Sequence, residues 1–238
     1  MTVQVGGYTV PGASAPAIPS SATAVVANVT VTGATASSYL TIWPAGSQRP
    51  LASNLNFVAG ETIPNRVEVP LSSTGAISVY NLSGQVNVII DVNGYYSSTS
   101  PGLYVPISPT RICDTRASSA NTPTNQCTGK TLGTAATLQV QVGGYVVPGA
   151  AAAAVPTTAI AVVANVTVTN TTAASFLTAW PAGIHQPLAS DLNWVAGATV
   201  PNLVVVQLGS ASSSAGAISV FNHSGAADVI VDVEGWFT

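Results

Sequence analysis

The chain has 238 residues, of which only 5% are charged and 47% are hydrophobic, and its formal net charge is −3. Five basic side chains against eight acidic ones leave no basic patch to offset nucleic-acid phosphates, and no run of about 18 apolar residues offers a membrane-spanning helix. The hydrophobic share excludes a disordered chain, so a soluble folded protein with no nucleic-acid partner and no membrane insertion is expected, with too little charge to repel copies of itself strongly.

A strand-like TVQVGGY follows Met1 directly, with no export segment ahead of it, as expected of a mature form. From Thr23 to Val31, Val25, Ala27, Val29 and Val31 occupy one face, with Val26, Asn28, Thr30 and Thr32 opposite. This period of two predicts a strand with one buried face. Val67, Val69 and Leu71 alternate in the same way with Arg66, Glu68 and Pro70. Val86, Val88, Ile90 and Val92 alternate with Asn87, Ile89, Asp91 and Asn93. No segment carries apolar residues at helical spacing over three turns, and GG, PG, SG and NG signals separate the β-branched runs.

Cys113 and Cys127 follow in one loop rich in Ser, Thr, Asn and Pro. A disulfide between them is expected, because no histidine lies nearby to complete a metal site. An oxidising, extracellular or cell-surface location follows from the disulfide.

Past this loop the sequence repeats. VQVGGYTVPG at 3–12 returns as VQVGGYVVPG at 140–149, an offset of 137 that also relates AVVANVTVT at 24–32 to 161–169, WPAG at 43–46 to 180–183, and PLASNLNFVAG at 50–60 to PLASDLNWVAG at 187–197. The offset becomes 141 between Asn81 and Asn222, so the second copy carries four extra residues in its SASSSAG stretch, where a surface turn is expected. VIIDVNGYY at 88–96 returns as VIVDVEGWF at 229–237. Two tandem domains are therefore expected, 1–101 and 102–238, each with about seven short strands in a β-sandwich of jelly-roll or immunoglobulin-like type. Residues 102–137 have no counterpart ahead of residue 1, so the first copy either lacks its opening segment or shares one with another copy.

The combination of SPTRICDTR, VQVGGY, AVVANVTVT, YLTIWPAG, SNLNFVAG and a closing VDVNGYY resembles repeats found in secreted and cell-surface proteins of actinobacteria, over nearly the whole chain. The resemblance implies an accessory, adhesive or wall-associated role, since such repeats stand in tandem or are appended to secreted hydrolases.

Few residues carry chemistry. Arg111, Asp114 and Arg116 hold three of thirteen charges within six positions, and a structural ion pair is expected of them. Trp43 and Trp180 lie in equivalent WPAG turns and serve either as core plugs or as platforms for sugar rings. Asn54 and Asn56, and their equivalents Asp191 and Asn193, could line the same end as ligand contacts. Asp91 and Asp232 match each other in the closing strands, and satisfied structural acids are expected there. No catalytic group, metal site or cofactor motif emerges. The expected function is a non-enzymatic structural or adhesive module that self-assembles by β-strand complementation. The alternative is a module binding cell-wall polysaccharide through its tryptophan turns.

Overall fold

The computed structural model of the protein describes residues 1–51, 53–98, 102–118 and 124–238. The chain divides into two compact units, Met1–Ser100 and Pro101–Thr238. Every regular element among the described residues is a β-strand, and every pairing between named strands is antiparallel.

Unit 1 contains β1 (Thr2–Gln4), β2 (Ala24–Thr32), β3 (Ser38–Pro44), β4 (Leu55–Phe57), β5 (Ile63–Pro70), β6 (Ala76–Asn81) and β7 (Asn87–Tyr96). They form a four-stranded sheet in the order β1-β6-β3-β4 and a three-stranded sheet in the order β5-β2-β7. Val25, Val29 and Val31 of β2 and Val67 and Val69 of β5 share one hydrophobic cluster with Leu40, Ile42, Ile77 and Val79 of the other sheet. Each such side chain withdrawn from water contributes about 1.5–3 kcal/mol, the main force holding the sheets together.

Unit 2 contains β8 (Tyr104–Asp114), β9 (Ala136–Gln141), β10 (Ala161–Thr169), β11 (Ser175–Pro181), β12 (Leu192–Trp194), β13 (Val200–Gln207), β14 (Ala217–Asn222) and β15 (Asp228–Phe237). Its sheets run β9-β14-β11-β12 and β13-β10-β15-β8. The matching strands pair in matching register. Even the register shift between β2 and β7 at Val26/Ala27 returns between β10 and β15 at Val163/Ala164.

The repeated GG motif marks a close backbone approach. Gly75 has φ of +79°, and a Cβ there would meet the Gly6 carbonyl oxygen at 2.8 Å. Its own carbonyl accepts the N–H groups of Val5 and Gly6 at 3.1 and 2.8 Å. Gly216 accepts Val142 and Gly143 in the same way at 3.0 and 2.9 Å. Only glycine adopts this conformation at this proximity without strain.

One expectation needs correction. In β2 the alternation selects the core face, but Val26, Asn28 and Thr30 on the opposite face are buried too. β2 is the central strand, and the register sets Arg66 and Asp91 on either side of Asn28. Their longer side chains belong to the face that a simple in-and-out pattern assigns to water. The SASSSAG stretch forms the expected surface turn ahead of β14, with residues 210–213 exposed, while Ser214 within it is buried, packed against Gly183.

Candidate functional site: a sheet edge occupied in unit 2 and open in unit 1

The two tryptophan turns are the places expected to hold either core plugs or platforms for sugar rings. The Trp180 indole donates to the Ile184 carbonyl at 3.1 Å, and the side chain is only 5% exposed. Trp43, half-buried, donates to the Ser47 carbonyl at 3.0 Å. Each ring closes its own turn, and Trp180 presents no open face for a sugar to stack on. The neighbouring polar groups serve the backbone as well. The Asp191 carboxylate accepts the Ala179 N–H at 2.8 Å, as Asn54 accepts the Ile42 N–H at 2.7 Å. Asn56 and Asn193 donate to Ser53 and Ser190 at 3.1 and 3.0 Å. These four side chains lock the loops that follow β3 and β11.

The charged cluster sits on the edge strand β8. Arg116 forks the buried Asp114 carboxylate, Nε to Oδ1 at 2.9 Å and Nη2 to Oδ2 at 2.6 Å, while its N–H reaches Oδ1 at 3.2 Å. Arg111 touches the same carboxylate at 3.4 Å and forks Asp232 of β15. Burial alone pushes the Asp114 carboxyl up, but the hydrogen bonds from Arg116 and the two guanidinium charges outweigh it and hold it below the usual carboxylate range. With its lone pairs committed and its proton gone, Asp114 fastens the strand rather than transferring protons.

Cys113 and Cys127 are joined in a disulfide, both sulfurs inside the core. The loop it closes is a clamp. Gln126 donates to the carbonyls of Ile112 and Gln141 at 3.0 and 2.8 Å and accepts the Gln141 N–H at 2.9 Å, so one amide bridges β8 and β9 across the two sheets. Its N–H donates to the Tyr145 hydroxyl at 3.0 Å. Farther on, Leu132 forms a bridge with Ala227, and Asn222 donates to its carbonyl at 3.2 Å. The Asp228 carboxylate accepts from Thr115 at 2.9 Å and Thr131 at 2.6 Å. The described residues within 103–134 thus seal one flank of unit 2 as a strand, a staple and a plug. Gln126, Leu132, Tyr145 and Asp228 were not recognised from sequence as parts of this device. The available signal was that most of them fall in, or contact, the one stretch without a counterpart.

Every docking position of that segment has an equivalent in unit 1. The β7 strand, which matches β15, pairs only with β2 among the described residues. Ile89 is 46% exposed where Ile230 is 7% exposed, and Tyr8, the counterpart of Tyr145, is 49% exposed. Val88, Ile90 and Val92 are half-buried where Val229, Val231 and Val233 are fully buried. A Cβ on Gly235 would strike the Tyr104 ring, whereas one on Gly94 would meet nothing. Where Leu132 plugs unit 2, unit 1 has an open hollow of about 300 Å³ bordered by Met1, Leu40, Val79, Asn81, Val86 and Val88.

Comparison with known proteins adds no identity. No family model matches the chain, and no curated protein matches it. Among solved structures, one described as the structure of infectious bursal disease virus Gx strain aligns with 92% of this chain and 67% of its own, at 8% identity and a TM-score of 0.17. That similarity is too low to carry an argument about fold or function.

Proposed function

We propose that this chain is a non-enzymatic structural module of a secreted or cell-surface protein, two tandem β-sandwich copies that associate with further copies by completing an open sheet edge. The β7 edge carries this reading. Natural sheets blunt their edges with short strands, prolines or charge. The β1 and β4 edges are three residues long, β5 carries Pro64 and Pro70, and β8 carries Pro106 and Pro109. By contrast, β7 offers ten residues without a proline. An edge of that length and apolar character is a template for another strand.

The buried disulfide is compatible with an oxidising, extracellular setting. The likeness to repeats of actinobacterial surface proteins supports the same placement, and the low charge leaves little repulsion between copies. Catalysis is left out of the proposal because the buried acids described above are committed to structural hydrogen bonds.

Sedimentation velocity from micromolar to near-millimolar concentration tests the proposal. A mass that rises with concentration, and that Ile89→Lys returns to the monomer, is expected. A strictly monomeric mass across that range would overturn it.

A further inference from the structure

The reading above leaves open what the β7 edge selects, and an edge alone would accept any extended chain. We infer that the flank of unit 1 is a specific receptor for one kind of polypeptide, a disulfide-closed segment of the type this chain carries at residues 103–134. The proposed occupant is that segment borne by another repeat. The inference rests on the assembly reading and deepens it.

The two units correspond position by position. In unit 2 the segment is held at four separated places: by backbone pairing along β15, by the Gln126 amide on the backbone of Gln141, by the Tyr145 hydroxyl, and by Leu132 set among core residues beside Ala227. In unit 1 the same four places are occupied by β7, Gln4, Tyr8 and the hollow beside Val86. A generic strand would satisfy only the first. The hollow calls for an apolar side chain beyond the paired strand, and in unit 2 the disulfide at Cys127 holds the adjoining Gln126 on the backbone of both sheets, six positions ahead of Leu132.

Register follows from the correspondence. In unit 2, Ile230 faces Asp114 and Val231 faces Cys113. In the filled receptor Ile89 therefore faces the aspartate and Ile90 the cysteine of the incoming segment. Its isoleucine, equivalent to the fully buried Ile112, enters the core beside the half-buried valines of β7.

The connection in unit 2 dictates the experiment. Leu138 matches Met1, so residues 102–137 joined directly ahead of Met1 in the full chain reproduce the link by which unit 2 receives its own segment. Hydrogen exchange of the β7 amides is expected to slow at least tenfold in this fusion. Unit 1 is expected to melt at least about 5 °C higher. Leu132→Asp and Ile112→Asp within the added copy alone should abolish both effects. A synthetic, oxidised peptide of residues 103–134 added to the unfused chain should protect the same amides with one-to-one stoichiometry. The inference is overturned if the added segment leaves β7 exchange unchanged, if the two aspartate variants protect equally well, or if the peptide protects only β15.

The fusion also separates this inference from the one it rests on. An unprotected β7 in a chain that still associates removes the receptor and leaves assembly standing. A protected β7 in a chain that never associates does the reverse.

Discussion

Arg111 and Asp232 meet through two parallel hydrogen bonds, Nε to Oδ1 at 2.8 Å and Nη2 to Oδ2 at 3.0 Å, across 121 positions of sequence. The pair pins β8 to β15 side by side, and the Arg111 side chain remains 42% exposed. Water screens such a pair, so Arg111→Ala is expected to cost at most about 1 kcal/mol in urea denaturation of unit 2.

Asp114 behaves differently, because its carboxylate is buried and holds both arginines. Asp114→Ala is expected to cost about 3 kcal/mol, read as a lower urea midpoint with unchanged slope. Its folded pKa lies below the ordinary value of about 3.9. The carboxylate thus contributes its stability above that ordinary value, and the contribution is lost as pH falls through the depressed one. In Asp114→Asn that part of the acid dependence should vanish, which a denaturation series between pH 5 and about 2 will register.

The Cys113–Cys127 disulfide closes a short loop, its cysteines 14 positions apart in sequence. The double replacement Cys113→Ser with Cys127→Ser should lower the stability of unit 2 by about 3 kcal/mol in the chain-entropy model. The staple formed by Gln126 loosens with it, so exchange at the Gln141 amide should rise while the unit 1 amides stay unchanged.

Trp194 is buried, and its indole N–H has no hydrogen-bond acceptor among the described residues. Unit 1 has Phe57 at the matching place, also buried. Trp194→Phe removes the orphaned donor at small loss of volume, so it is expected to stay within about 1 kcal/mol of the parent. Trp194→Ala opens a cavity and should cost about 3–5 kcal/mol. Calorimetry of the two variants measures both.

Asp191 and Asn54 offer an internal control. Each accepts one backbone N–H across its loop, so the carboxylate charge is not what that bond needs. Asp191→Asn should keep the acceptor and most of the stability, whereas Asp191→Ala strands the buried Ala179 N–H and should cost about 1–3 kcal/mol. Thermal melts of the pair will show whether they separate in this order.

Local pattern was enough for the strands, the antiparallel all-β class and the disulfide. A period of two is a property of neighbouring residues, and two cysteines in one loop need no distant partner. The relation between the closing strands β7 and β15 was also readable, since VIIDVNGYY and VIVDVEGWF match residue for residue. The tertiary structure decided everything that depends on which strands become neighbours. Thr30 looked solvent-facing until β5 and β7 flanked β2. Trp180 could be read as a core plug or as a platform until its buried ring folded over its own turn. Gln126 lay in the cysteine loop by sequence, and only the fold showed its amide bridging β8 and β9. Sequence records the preference of each residue for a face or a turn, but an edge is defined by the neighbour it has or lacks. That is why a strand legible as β7 could be known as an open edge only beside its filled counterpart.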